Sequence, residues 1–185
     1  PKHIAPFFKV AREYGFALHL HAEQLTYLGG AKFASEYHAS SVDHLEYLPS
    51  EDVPRLKSAG TVAVLLPGAF YQLRETQKPP IQSLREHGVA MAIATDCNPG
   101  TSPFTSLPLM MNMACILFGL TINEAWLGVT RHAAHALNLQ NRIGSIELGK
   151  IANLVMWQTS NLEEVIYTPT LNLCETVIYS GKIRK

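Results

Sequence analysis

Four short, nearly unbroken apolar runs, separated by helix-like stretches, constrain this chain more than any other feature. Ala17-Leu18-His19-Leu20-His21 and the shorter Ser41-Val42-Asp43-His44 read as strands. Thr61 to Leu66 is a buried strand closed by Pro67-Gly68, and Val89 to Thr95 is another, closed by Asp96. Helical patterns fall between them, roughly at residues 28–38, 50–59 and 77–87. Such strands, alternating with helices, indicate βαβ units and a parallel sheet. Four units make half of an eight-unit barrel, or a small doubly wound sheet.

Two longer helical patterns follow, at about residues 105–118 and 122–137. Thr121 with Glu124 three residues later fits a capping box at the second. Beyond residue 140 the texture changes. Gly144 to Lys150 is turn-rich, then Ala152 to Trp157 and Thr176 to Tyr179 read as strands, with no clean period from Asn161 to Asn172. The expected organisation is therefore an α/β unit over 1–140 and a β appendage over 141–185.

Composition narrows the function classes. Only 16% of residues are charged, with 15 Lys+Arg against 15 Asp+Glu, while 47% are hydrophobic. That excludes intrinsic disorder and leaves no electrostatic footprint for nucleic acid or an anionic membrane. No run reaches the length of a membrane span, and Pro1-Lys2-His3 shows no signal pattern and no initiator Met. The three cysteines, Cys97, Cys115 and Cys174, are expected to be buried thiols of a cytoplasmic protein.

In a parallel α/β sheet, reactive residues sit where strands end. The first strand ends in His21-Ala22-Glu23-Gln24, the second in Asp43-His44-Leu45-Glu46 and the fourth in Asp96-Cys97-Asn98-Pro99-Gly100-Thr101. Taken singly, such a His is usually a hydrogen-bonded structural residue, and an Asp before Asn-Pro-Gly a turn former. Together they place two imidazoles and a carboxylate on one face of the sheet, donors that suit Zn²⁺ or Fe²⁺. His19, one alternation before His21, is expected to be a core histidine.

These residues resemble the imidazolonepropionases of the metal-dependent amidohydrolase superfamily. The likeness runs in order through His21-Ala22-Glu23-Gln24, Gly29-Gly30, Asp43-His44-Leu45-Glu46-Tyr47, Leu65-Leu66-Pro67-Gly68-Ala69-Phe70 and Ala94-Thr95-Asp96-Cys97-Asn98-Pro99-Gly100-Thr101-Ser102. It implies the C-terminal half of a TIM-like (β/α)8 barrel, strands five to eight, plus part of a small β-sandwich. It also implies one zinc or iron ion on His21 and Asp96, with Asp96 exchanging the proton of the attacking water. His44 would orient that water or polarise the substrate, and Gln24 would contact the substrate. Asn98, Gly100 and Thr101 would bind the propanoate, through backbone N–H groups near Gly100 and the Thr101 hydroxyl. The implied reaction opens 4-imidazolone-5-propanoate to N-formimidoyl-L-glutamate in histidine degradation.

Nothing here matches the first four barrel strands, so the remaining metal ligands are expected from a missing N-terminal half, and the chain alone should be inactive. Expected partners are a small-molecule substrate, that missing half and, as an assembly, a homodimer. Alternatives are another amidohydrolase, such as a nucleobase deaminase, or a non-catalytic half-barrel scaffold. Cys97 is expected to turn away as buried filler, and Met110 and Met111 to pack a helix against the barrel.

Overall fold

The computed structural model describes residues 3–184. A helix, α1 (Ala5–Glu13), precedes the first strand, β1 (His19–Ala22). Then α2 (Gly30–Glu36), β2 (Ser41–His44), α3 (Val53–Ala59) and β3 (Val62–Leu65) alternate. Two short helices, α4 (Pro67–Gln72) and α5 (Ile81–Glu86), lead to β4 (Met91–Ile93). The four strands form one parallel sheet in the order β1-β2-β3-β4. Sequence order equals spatial order, as a half barrel requires and a doubly wound sheet, with its reversal of strand order, does not.

Register sorts the side chains into two faces. His19 and His21 pair with Ser41 and Asp43, which in turn stand beside Val62 and Val64, the latter beside Ala92. That row is the inner face. Val42, Ala63, Leu65, Met91 and Ile93 form the alternate, outer row and are buried in the main core with Leu56, Leu84 and Met110.

The pattern expected as one helix at 105–118 is α6 (Leu107–Met113) followed by a π-helical turn, Ala114–Phe118, that stops at Gly119, φ 74°. Met110 and Met111 are buried in the core as expected. The pattern at 122–137 divides at Thr130 into α7 (Ile122–Val129) and α8 (Arg131–Ala136). The capping box at Thr121 and Glu124 is present, and Glu124 also takes a two-pronged bond from Arg85 on α5, at 2.7 and 2.9 Å. Gly128 lets α7 lie close to β4, since a Cβ there would stand 3.0 Å from Ile93. Helix α8 sets Ala133 and Ala136 against Val62, Val64 and Ala92 on the inner face.

Three antiparallel strands follow: β5 (Leu154–Trp157), β6 (Cys174–Tyr179) and β7 (Lys182–Ile183). The stretch without a clean period holds a helix, α9 (Leu162–Tyr167), capped by the Asn161 side chain. Trp126 on α7 meets Trp157 on β5 edge to face, ring centroids 6.1 Å apart. No helix among the described residues is long and apolar enough to cross a membrane. The cysteines correct the sequence reading: Cys97 is exposed, and Cys115 and Cys174 are only partly buried. Cys97 lies on an open loop past the end of β4, where strand alternation no longer decides which way a side chain turns.

Candidate metal centre

The C-terminal ends of β1, β2 and β4 converge. One ligand atom each from His21, His44 and Asp96 lies within 4.8 Å of the others. The His21 and His44 rings are 5.1 Å apart, and His44 Nε2 stands 3.9 Å from Asp96 Oδ2.

Each element delivers its residue differently. His21 points inward by simple alternation, across from Asp43. His44 pairs with Ala22, so continued alternation would send it outward. Instead His44 and Leu45 both take left-handed backbone, φ 79° and 74°, which returns the imidazole to the inner side and drops Leu45 into the core. Asp96, φ 49°, turns the chain in the same way beyond β4. Left-handed conformations are costly for residues with a Cβ, and their clustering at one site is a mark of function.

Carboxylates stand behind both imidazoles. Asp43 Oδ2 is 3.7 Å from His21 Nε2. Its Oδ1 accepts from Ser41 Oγ at 3.0 Å, and Ser41 Oγ is 2.9 Å from His19 Nδ1. Burial pushes the Asp43 carboxyl above the usual range, opposed by the Ser41 hydrogen bond and the facing imidazoles. Glu46, 1% exposed, sets Oε1 3.8 Å from His44 Nδ1. His19 does not bear out the expected core position: it is exposed on the inner face, bonded to Ser41. The inner face carries a hollow of ≈ 320 Å³ bordered by His19, His21, Asp43, Val64 and Asp96.

The remaining expected site residues lie on the loops after β1 and β4. Gln24 is half-buried on the loop after β1. Its neighbour Glu23, overlooked in the sequence, holds that loop: its buried carboxylate accepts from the backbone N–H groups of Leu28 and Ala31 at 2.7 and 3.0 Å, at the start of α2. The 98–101 loop is held by its own hydrogen bonds. Asn98 Oδ1 accepts from the backbone N–H groups of Gly100 and Thr101 at 2.9 and 2.8 Å and from the Thr101 hydroxyl at 3.2 Å. Asn98 Nδ2 donates to the Asp96 carbonyl at 2.7 Å. The Asn98 side chain thus shapes the loop that carries Asp96 and brings Asn98, Gly100 and Thr101 together.

Two imidazoles and a carboxylate at this spacing form a nitrogen–oxygen donor set suited to zinc or iron, and the His44 ring is almost wholly withdrawn from water. The family model of the amidohydrolases matches residues 1–184. The chain belongs to the amidohydrolase family. It is 53% identical over 185 residues to imidazolonepropionase of Serratia proteamaculans, covering 100% of this chain and 46% of that relative. Against imidazolonepropionase of Pseudomonas aeruginosa it is 58% identical over 167 residues, 90% of this chain and 42% of the relative. The chain thus spans less than half the length of these curated relatives. In structure, it matches a variant atrazine chlorohydrolase of Arthrobacter aurescens, complexed with zinc and atraton, with TM-score 0.80 and 17% identity, over 96% of this chain and 46% of that one. A zinc-bound adenosine deaminase of Xanthomonas campestris gives TM-score 0.73 and 22% identity, over 97% and 48%. At that identity the likeness concerns the amidohydrolase fold alone: the four parallel strands are half of a (β/α)8 barrel.

Proposed function

We propose that the chain carries the metal-binding strand ends of an imidazolonepropionase, which hydrolyses 4-imidazolone-5-propanoate to N-formimidoyl-L-glutamate in the cytoplasmic breakdown of histidine. The observation that carries this reading is the convergence of His21, His44 and Asp96 in a sequence more than half identical to imidazolonepropionases. A nucleobase deaminase is disfavoured, because the likeness to the adenosine deaminase stops at 22% identity.

His21 and Asp96, with His44 beside them, would hold one zinc or iron ion. When bound, such an ion supplies Lewis acidity, polarising a carbonyl and acidifying water. The protein's own part is positioning and proton transfer. Asp96 accepts a proton from the attacking water and returns it to the ring nitrogen that leaves as the cyclic amide opens, the two transfers a general acid–base requires. His44 Nε2, on the same side as the Asp96 carboxylate, orients that water or the substrate carbonyl. Gln24 would contact the substrate from the loop after β1, and Asn98, Gly100 and Thr101 would bind the propanoate from the loop after β4, which Asn98 also braces. Further ligands and substrate contacts would come from the other half of the barrel, and a homodimer is the assembly we expect.

The test is formation of N-formimidoyl-L-glutamate from 4-imidazolone-5-propanoate by zinc- or iron-loaded protein carrying the whole barrel. Turnover that disappears on metal removal and in Asp96→Asn supports the reading. Turnover of adenosine or cytosine in its place overturns it.

A further inference from the structure

Glu46 is the most deeply buried carboxylate beside the site, and the chemistry above gives it no task. It is 1% exposed and His44 is 2% exposed. Each has a polar atom without a hydrogen-bond partner, Oε2 of Glu46 and Nδ1 of His44. The two side chains face each other, with Oε1 3.8 Å from Nδ1. That is longer than a hydrogen bond, and such contacts often tighten only when a site is filled. Buried carboxylates require a donor.

On its other edge the same imidazole meets Asp96, with Nε2 3.9 Å from Oδ2. A neutral imidazole has one N–H and two carboxylates to serve. The Asp96 side chain is 18% exposed and can be satisfied by water, whereas Glu46 cannot. The proton therefore belongs on Nδ1. We propose that Glu46 is a positioning residue that holds His44 in its Nδ1–H form, leaving Nε2 as a bare lone pair on the side of Asp96. The left-handed turn at His44 and Leu45 makes this possible, since it turns His44 inward and leaves its Nδ1 edge toward Glu46 two residues on. The inference rests on the reading that His44 serves the hydrolytic site, and it narrows that role to accepting a hydrogen bond from the water, since a bare Nε2 cannot donate to a substrate carbonyl.

The test is ¹H–¹⁵N correlation of the imidazoles in metal-free protein labelled at its histidine rings, with His44 assigned by its loss in His44→Gln. The expected spectrum has a protonated Nδ1 and an unprotonated Nε2. Glu46→Gln keeps a carbonyl acceptor and should preserve that form, whereas Glu46→Leu should shift His44 toward the Nε2–H form. Zinc affinity should fall about 10- to 100-fold in Glu46→Leu and far less in Glu46→Gln. An Nε2–H form in the parent protein overturns the proposal, as does a Glu46→Leu protein with the parent's tautomer and zinc affinity. Should Glu46→Leu not fold, the parent spectrum still decides. Protein inert toward imidazolone-propanoate that shows this tautomer and this zinc dependence would support the role of Glu46 while removing the substrate reading.

Discussion

The two faces of the four-stranded sheet divide the labour of the molecule. The outer row, Val42, Ala63, Leu65, Met91 and Ile93, is apolar throughout and sealed by helices. The inner row changes character along the sheet, from His19, His21, Ser41 and Asp43 on β1 and β2 to Val62, Val64 and Ala92 on β3 and β4. The outer face therefore supplies cohesion. The inner face concentrates polar groups on one pair of strands and covers the other pair with α8. Chemistry enters where backbone departs from strand geometry, at His44 and Asp96, and both departures occur past the last paired residues of regular strand or at its final position.

Substitutions can break this division. Asp96→Asn should lower turnover about 10²- to 10⁴-fold, the range for loss of a general acid–base group, with an unchanged melting temperature. Retained turnover, or a matching loss of stability, would mean that the inner face is also structural. Leu65→Ala, on the outer face, should cost about 2–5 kcal/mol in denaturant unfolding and leave zinc binding by the folded fraction unaltered. Weakened zinc binding there would show that the faces are coupled.

A smaller effect is expected at the Arg85–Glu124 clamp, which joins outer helices. The Arg85 guanidinium holds the Glu124 carboxyl down at about 2, from an ordinary 4.5. Because the folded value is depressed, this stabilisation is complete above pH 4.5 and fades as pH falls toward 2. Glu124→Gln should remove about 1–2 kcal/mol at neutral pH, allowing for the clamp's partial exposure, and flatten that part of the acid unfolding curve. An unchanged acid limb would dismiss the clamp. Smallest of all, His19→Ala should cost less than about 1 kcal/mol, the worth of one exposed hydrogen bond, as read from the unfolding midpoint.

Much of this arrangement is legible in the chain. Strands β3 and β4 announce themselves as apolar runs because both their faces are covered. Strands β1 and β2 are read from their spacing between helical stretches, and the strand-end rule brings His21, His44 and Asp96 to one place. Helix α4 is harder to see, since Pro67-Gly68 ends a strand and starts a helix at the same residues. The loop bonds of Asn98 escape because an amide that bonds its own loop leaves the same letters as one that bonds a ligand. Glu46 stands in plain view two residues after His44. Its significance depends on a left-handed pair of residues that no periodicity encodes.

The contact between Trp126 and Trp157 has a practical consequence. The chain contains two tryptophans, and both belong to this pair, which spans α7 and the antiparallel sheet. Intrinsic fluorescence will thus act as a local gauge of whether that sheet stays seated on the barrel helices. A titration that occupies the strand ends and leaves the emission unmoved would be silent for a reason of placement, because the reporter joins α7 to the antiparallel sheet and not the strand ends.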